Sequence, residues 1–355
     1  MSEFFYGVIE GFYGHQWSWQ QRKEYAQFLK RHGFDAYIYA PKADVFFRGR
    51  WREQHAAEQW QQLQALGQHY QLSGVRWGLG LSPLGLSVNY TAEDKRLLQD
   101  KVQRINELSP NILCVLFDDI RGDIDGLGQR QLEITADIID VSLAQQHIIC
   151  PTYYSTDPVL EQVFGIMPCG YMETLGQGLA AEVDVFWTGS EVIAKSFSRD
   201  DLEPVENLFK RKPVLWDNYP VNDGRLTSNY LHLRPYQGRP CEIDRWCRGH
   251  VVNPMNQPLL SQLVLQSLQS IYQQRCRYNV ANELEEGLAI LDDAVLATQL
   301  SDDVVLFHDL GLSAMTEAQR LEKSKLYRAF DHPVASEVAD WLDGYYLFDP
   351  NCLTG

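Results

Sequence analysis

The chain has 355 residues, 45% of them hydrophobic, and a formal net charge of −16. This composition is typical of a folded globular protein with a large core and excludes a disordered chain. The strong acidity argues against binding nucleic acid or an anionic membrane through bulk electrostatics. No apolar run approaches the roughly 18 residues of a membrane helix, and no basic segment precedes a long apolar stretch at the N-terminus. We therefore expect a cytoplasmic protein that binds neither nucleic acid nor membrane.

Eight short, β-rich apolar runs follow one another along the chain. Each is almost continuously hydrophobic, which is typical of parallel strands that are buried on both faces. The predicted strands cover residues 5–10, 36–41, 75–82, 112–119, 147–154, 183–189, 213–218 and 250–254.

Helical patterns lie between these strands. The residues that share a helical face are Trp60, Leu63, Gly67 and Tyr70 in one segment and Leu98, Val102 and Ile105 in the next. Further helices are predicted over 129–146 and 258–274. Eight alternating strands and helices predict a (β/α)8 TIM barrel over residues 1–278. A doubly wound sheet is the alternative, but no Gly-x-Gly-x-x-Gly turn follows the first strand.

Residues 279–355 have no clear strand and are predicted to form a small C-terminal helical region packed on the barrel. One predicted helix carries Leu284, Leu288, Leu291 and Val295 on a single face, and two more cover 316–328 and 334–346. This region could also carry a dimer contact, and the sequence does not determine the oligomeric state.

The seven cysteines are expected to be reduced, largely buried thiols. Cys241 and Cys247 are close enough in sequence to allow a disulfide. No Cys-x-x-Cys pair with a histidine partner indicates zinc, and the nine histidines lack metal-ligand spacing. The cysteines and histidines therefore predict no metal site, and we predict no cofactor.

Barrel enzymes build their sites at the carboxyl ends of the strands, and polar and aromatic residues follow the predicted strands here. They are Glu10, Gly11, Tyr13, Lys42, Asp44, Asp118, Asp119, Tyr153, Tyr154, Trp187, Trp216, Asp217, Asn218, Asp223 and Asn253. Aromatic faces, carboxylates and amides in an otherwise apolar wall favour a sugar pocket. Other readings are core positions for Trp187 and Trp216, a structural Lys42–Asp44 ion pair, and a turn-capping role for Asn253.

The adjacent carboxylates Asp118 and Asp119 have three plausible uses: a metal site, a structural pair bound to backbone amides or Arg121, or a division of acid and base roles. The acidic stretch 118–126 fails the calcium-loop pattern, because the first ligand position in register is Arg121 and the last is Leu132. In an ordinary glycosidase the two carboxyl groups stand about 5 Å or more apart. Adjacency suits a scheme in which the 2-acetamido oxygen of the substrate is the nucleophile, because both carboxylates then act on one sugar.

The chain resembles glycoside hydrolase family 84, the β-N-acetylglucosaminidases that include the protein O-GlcNAcases. The matching stretches occur in family order over about 2–275: GVIEGFYG (7–14), YAPK (39–42), LFDDI (116–120), CPTYY (150–154), FWTG (186–189), LWDNYPVND (215–223) and VVNP (251–254). The resemblance implies a (β/α)8 barrel and metal-independent, retaining, substrate-assisted catalysis on β-linked N-acetylglucosaminides. Relatives often carry a second aspartate directly after the lysine, where this chain has Ala43.

Carried over by motif, Asp118 resembles the residue that orients the acetamido group and Asp119 the general acid/base. Tyr154 resembles the tyrosine that holds the acetamido group, and Trp216 a pocket-wall aromatic. The matching sugar-binding positions are Gly11, Lys42, Asn218, Asp223 and Asn253. The leading hypothesis is an exo-acting β-N-acetylglucosaminidase, with O-linked GlcNAc on proteins as one candidate substrate. The alternatives are a hydrolase of GlcNAc oligosaccharides or hyaluronan-like glycans, a metal-dependent lyase or hydrolase, and a non-catalytic GlcNAc-binding barrel.

Overall fold

The computed structural model describes residues 4–350. Eight parallel strands form a closed barrel in chain order, and the last strand pairs with the first. The strands are β1 (Phe5–Glu10), β2 (Ala36–Tyr39), β3 (Arg76–Leu81), β4 (Ile112–Leu116), β5 (Gln146–Cys150), β6 (Val183–Trp187), β7 (Val214–Asp217) and β8 (Gly249–Val252). The predicted TIM barrel is confirmed.

The strands are hydrophobic on both faces because each face packs against a different core. All five residues of β4 are buried. One set of side chains, including Ile9, Ile38 and Ile148, fills the barrel interior, and the other set packs beneath the surrounding helices. Alternation is therefore absent from the strand sequences, as expected for a sheet covered on its outer face.

The helices follow the strands and continue after the barrel closes. They are α1 (Trp19–Arg31), α2 (Ala57–Ser73), α3 (Ala92–Asn106), α4 (Leu127–Val141), α5 (Val159–Phe164), α6 (Tyr171–Gly178), α7 (Arg199–Phe209), α8 (Ile243–Trp246), α9 (Pro258–Gln274), α10 (Val280–Leu288), α11 (Ala294–Val304), α12 (Glu317–Arg328) and α13 (Pro333–Leu342). None of the described helices is both long and apolar enough to cross a bilayer.

Most of the helical periodicities are confirmed, because the predicted faces are the buried ones. The predicted faces of α2 and α3 are buried, and α9 has the predicted bounds. The helix predicted over 129–146 ends earlier, at Val141, because β5 already begins at Gln146.

The single helix predicted through Leu284 and Val295 is wrong. Asp292 has a positive φ of 53°, which breaks the helical path. Asp293 then caps α11 by accepting hydrogen bonds from the backbone N–H groups of Val295 and Leu296, each at 3.0 Å. Val295 is consequently 70% exposed and does not share the buried face of α10.

The C-terminal helices pack onto the barrel through a second core. This core joins residues of the segment 294–342, such as Leu300, Phe307 and Trp341, to Leu260 and Leu263 of α9. Gly287 of α10 lies so close to α9 that a Cβ would stand 2.3 Å from the Leu263 carbonyl oxygen. The boundary at 278/279 stays a prediction, and residues 351–355 of the predicted C-terminal region lie outside the described residues.

Candidate active site

All nine predicted site residues line one cavity of about 170 Å³ at the carboxyl ends of the strands. They are Gly11, Lys42, Asp118, Asp119, Tyr154, Trp216, Asn218, Asp223 and Asn253. The structure therefore brings the set together, as the strand count predicts. The role of each residue stays a prediction at this point.

The two adjacent carboxylates contact a single ammonium group. β4 ends at Leu116, and Asp119 then adopts a positive φ of 58°, an uncommon conformation for a non-glycine residue. The Lys42 Nζ forms an ion pair with Asp118 Oδ2 and lies 3.0 Å from Asp119 Oδ2. Arg121 does not join this group, because it pairs with Asp123 instead.

Asp118 and Asp119 differ in exposure and in their remaining contacts. The Asp118 side chain is 7% exposed, and its Oδ1 accepts no hydrogen bond from any described residue. The Asp119 side chain is 26% exposed and also borders two grooves next to the cavity. A buried acceptor without a donor is costly, so Asp118 Oδ1 is suited to a donor that a ligand supplies.

The charges in the cavity stabilise one another. Burial by itself would lower the pKa of Lys42, but the Asp118 and Asp119 carboxylates raise it above its usual value. Burial by itself would raise the pKa of Asp119, but Lys42 and the Tyr13 hydroxyl lower it below its usual value. Lys42 is therefore an ammonium and Asp119 a carboxylate in the ligand-free protein.

One wall of the cavity is a connected set of amides and an indole. Asn218 Oδ1 accepts hydrogen bonds from Trp216 Nε1 at 2.9 Å and from Asn253 Nδ2 at 3.1 Å. Asn253 Oδ1 accepts the backbone N–H of Gly11 at 3.2 Å. A Cβ at Gly11 would lie 2.5 Å from the Trp216 ring, so this wall requires glycine there. The Asn253 side chain therefore bonds to Gly11 and Asn218 of the site, although it also stands directly before Pro254 in the chain.

Asp223 closes the cavity beside the first strand. Its Oδ2 accepts the backbone N–H of Tyr13 at 2.7 Å. Burial raises the pKa of Asp223 to about 6, while the Tyr13 hydrogen bond opposes this increase. Tyr154 faces both aspartates, and burial raises the pKa of its hydroxyl well above the usual value. Tyr154 is therefore a neutral hydrogen-bonding group at physiological pH.

Several strand-end residues do not reach the cavity. Trp187 is a core residue that packs on Phe209. Tyr153 donates to the Gly165 carbonyl at 2.6 Å. Asp44 binds Tyr39 and His55, so the alternative Lys42–Asp44 ion pair does not form.

Two further carboxylates at the strand ends have structural surroundings. Glu10 is fully buried in an ion pair with Arg22. Asp217 is fully buried between Arg239 and His250, which lower its pKa. Removing either partner of such an ion pair would leave an uncompensated charge in the low-dielectric interior, which would strongly destabilise the fold. We therefore interpret these two carboxylates as structural.

Cysteines and acidic side chains form no further centre in the described part of the chain. Cys241 and Cys247 are both free thiols, so the disulfide considered for them does not form. Among residues 4–350, no group of three or more His, Cys, Asp or Glu side chains has a geometry suited to a metal ion. The acidic stretch 118–126 is included in that range.

The comparison with known proteins decides the family. The model of the β-N-acetylglucosaminidase family matches residues 6–309. The chain belongs to this family of glycoside hydrolases. The resemblance to glycoside hydrolase family 84 is thereby confirmed.

Named relatives of this β-N-acetylglucosaminidase family member agree with the assignment. The protein O-GlcNAcases of Rattus norvegicus and Mus musculus are each 30% identical over 261 residues, which is 71% of this chain. The chain spans 28% of the length of those two proteins. A mutant of the Thermobaculum terrenum O-GlcNAc hydrolase has 27% identity and a TM-score of 0.79, covering 97% of this chain and 82% of its own.

Six further residues line the cavity of this family member, and none of them was assigned a role from the sequence. They are Tyr13, Cys150, Thr188, Val192, Ile193 and Val221. Tyr13 was named among the residues that follow the first strand, and it also stands in the GVIEGFYG motif. Val192 and Ile193 lie in a loop whose path cannot be read from local sequence.

Proposed function

We propose that the chain is an exo-acting, retaining β-N-acetylglucosaminidase that uses the 2-acetamido group of its substrate as the nucleophile. The observation that carries the proposal is the contrast between two carboxylates on one ammonium. Asp118 is buried with an oxygen that accepts no hydrogen bond from the described residues, and Asp119 is more exposed. The first suits an acetamido N–H, and the second suits the leaving group and water.

In the first step, the acetamido N–H donates to Asp118 Oδ1, which directs the acetamido oxygen to the anomeric carbon. That oxygen bonds to the carbon as the glycosidic bond breaks, which closes a protonated oxazoline ring, and Asp119 gives its proton to the leaving oxygen. In the second step, water attacks the anomeric carbon, Asp119 takes its proton, and the oxazoline ring opens. Two displacements at one carbon retain the configuration.

Asp119 is ionised before substrate binds, which is the form required for the second step. For the first step it must take up a proton as the sugar enters. A bound sugar favours this uptake, because excluding water from a carboxyl group raises its pKa. A sugar hydroxyl that draws the Lys42 ammonium away from Asp119 would act in the same direction.

The remaining cavity residues are proposed to hold the sugar. Tyr154 would hydrogen-bond the acetamido group, and Trp216 would pack on the sugar face. The proposed hydroxyl-binding groups are Lys42, Asn218, Asp223, Asn253 and the backbone at Gly11. The cavity of about 170 Å³ is smaller than the roughly 300–1,000 Å³ of sites for drug-sized ligands, which supports binding of one terminal sugar.

The natural substrate is proposed to be O-linked GlcNAc on proteins, because the rat and mouse relatives are named protein O-GlcNAcases. A GlcNAc oligosaccharide is the competing substrate. Turnover of a GlcNAc-serine peptide well above that of a β-linked GlcNAc disaccharide would favour the first, and the reverse ratio the second.

The activity is tested with an aryl β-N-acetylglucosaminide, assayed with and without chelator. We expect turnover that chelator leaves unchanged, and a β-configured sugar as the first product by NMR. Replacing the acetamido group by trifluoroacetamido should slow turnover strongly, because fluorine withdraws electrons from the attacking oxygen. Absence of turnover, loss of turnover with chelator, or equal rates for both substrates would contradict the proposal. Asp123→Asn, at an exposed position on the loop that follows Asp118 and Asp119, is the matched control for substitutions of those two aspartates.

A further inference from the structure

Tyr13 is oriented by a buried arginine. Arg48 is 3% exposed and follows the short 3₁₀ helix Val45–Phe47. Its Nη2 donates to the Tyr13 hydroxyl at 3.2 Å, and its guanidinium carbon lies 5.4 Å from the centre of the Tyr13 ring. Its Nη1 also donates to the Lys42 carbonyl at 3.4 Å. Arg48 therefore connects the loops that carry Tyr13 and Lys42.

The chemistry of these groups fixes the direction of the hydrogen bonds. A guanidinium only donates, so the Tyr13 hydroxyl accepts from Arg48 and keeps its own proton for another acceptor. That acceptor is Asp119 Oδ2, which lies 2.8 Å from the Tyr13 oxygen. Asp119 Oδ2 is thus occupied by donors from Tyr13 and Lys42. The proton that Asp119 exchanges with substrate must then reside on Oδ1.

We propose that Arg48 and Tyr13 are positioning residues that set the acidity and orientation of Asp119 in the reaction. The proposal rests on the proposed function. Arg48 orients the Tyr13 hydroxyl, and that hydroxyl stabilises the ionised form of Asp119. Oδ1 is left as the oxygen that gives and takes the proton.

Other charged and titratable groups also face Asp119, and the test must separate Tyr13 and Arg48 from them. Lys42 and Arg48 favour the carboxylate, whereas Asp118 and Asp223 disfavour it by like charge. The Tyr154 hydroxyl and the Cys150 thiol are neutral, because burial raises the pKa of each well above its usual value. Tyr13→Phe changes none of these charges and removes only the hydroxyl.

The experiment measures kcat against pH with an aryl β-N-acetylglucosaminide that has a poor leaving group, because kcat reports the acid in the enzyme–substrate complex. In Tyr13→Phe, Asp119 loses a donor to its ionised form and holds its proton to higher pH. We expect the alkaline limb to move upward by about one pH unit. An unchanged limb in an active variant would overturn the proposal. Tyr153→Phe is the matched control, because it removes a tyrosine hydroxyl from the neighbouring β5 loop without touching Asp119.

Arg48 is tested by a double-mutant cycle. Arg48→Met should also move the limb upward, and it should move it less in the Tyr13→Phe background, because part of its effect passes through the hydroxyl. Equal shifts in both backgrounds would show that Arg48 does not act through the Tyr13 hydroxyl, and would contradict the proposal. If Arg48→Met does not fold, Arg48→Lys replaces it under the same criterion, and the exposed Arg50→Met is the control.

A wild-type protein without turnover would refute the proposed function itself. Failure of the proposed function is thereby distinguished from failure of the proposal for Arg48 and Tyr13.

Discussion

Asp118 and Asp119 are neighbours in sequence, but they differ in exposure and contacts, and different roles are proposed for them. Asp119 is the more exposed of the two and is the proposed proton donor to the leaving group. In Asp119→Asn, substrates with poor leaving groups should lose about 10²–10⁴-fold in kcat/KM, while activated aryl substrates should lose far less. Asparagine tolerates the positive φ at this position, so the fold should persist. Equal losses on both substrate types would contradict an acid role.

The complementary change at Asp118 should not depend on the leaving group. Asp118→Asn leaves an amide facing the acetamido N–H and removes the charge that supports attack. We expect a fall in kcat of about 100-fold or more for all substrates. The measurement is kcat for a series of aryl leaving groups, alongside thermal unfolding, because the Lys42–Asp118 ion pair is also lost. Near-normal activity would exclude the orienting role, and Asp123→Asn again serves as the control.

The positions of the site residues were predictable because each lies at the carboxyl end of a strand of a closed barrel or in the loop that follows it. Lys42, Asp118 and Asn253 are separated by tens of residues in the chain, yet the strand order alone brings them to one face. Their contacts were not predictable. The Arg48–Tyr13–Asp119 arrangement depends on how two loops meet, and neither loop has a periodic pattern that fixes its path.

At the scale of elements, α9 begins without a cap of its own. Gln257 precedes it and makes no capping hydrogen bond. Glu337 of α13 supplies the acceptor instead, taking the backbone N–H of Leu259 at 3.1 Å and that of Leu260 at 2.9 Å. Unpaired N–H groups in a first helical turn need such partners. A C-terminal helix thus supports the barrel helix that directly follows the Asn253 loop.

This cap should make stability depend on pH. Burial raises the pKa of Glu337 from 4.5 to about 8, although the backbone N–H groups oppose the increase. Between these values the unfolded chain loses the proton while the folded chain keeps it. The free energy of unfolding therefore falls as pH rises through this window, by an amount on the order of a few kcal/mol.

Glu337→Gln should flatten that dependence, because glutamine does not titrate and its carbonyl still accepts a backbone N–H. The measurement is denaturant unfolding at several pH values between 4.5 and 8. Glu322→Gln, which removes an exposed carboxyl group from the neighbouring helix α12, should keep the wild-type slope. Identical slopes for the wild type and Glu337→Gln would exclude Glu337 as the titrating group.

Elements with a long, uninterrupted apolar period were predicted well, and a segment in which one helix ends and another begins was not. The 17 residues of α9 keep one period from end to end. The spacing of Leu284, Leu288 and Leu291 also suits one helix, but Asp292 and Asp293 interrupt it, and the cap at Asp293 starts a new helix in another direction. The apolar periodicity does not reveal a helix cap when the apolar spacing continues across that cap.

At the scale of the whole molecule, the C-terminal helices contact the loop that carries Asp223 of the candidate site. The loop after β7, which carries Asp223, continues to Ser228 and Leu231. The Ser228 carbonyl accepts Trp341 Nε1 at 3.1 Å, and the Leu231 N–H donates to the Phe307 carbonyl at 3.0 Å. Leu231, Met255 and Leu260 share the apolar core of α11–α13. Removal of these helices would expose that core and release the loop.

A chain ending at residue 278 is therefore expected not to form a stable, active barrel, although 278 is the predicted boundary. The full chain should unfold in one transition that is the same by far-UV circular dichroism and by tryptophan fluorescence, because a shared core couples the two parts. Residues 1–278 should be aggregated or largely unfolded, with no turnover of an aryl β-N-acetylglucosaminide. A soluble, cooperatively melting and active 1–278 chain would instead make the C-terminal helices an independent unit. Two separate transitions in the full chain would lead to the same conclusion.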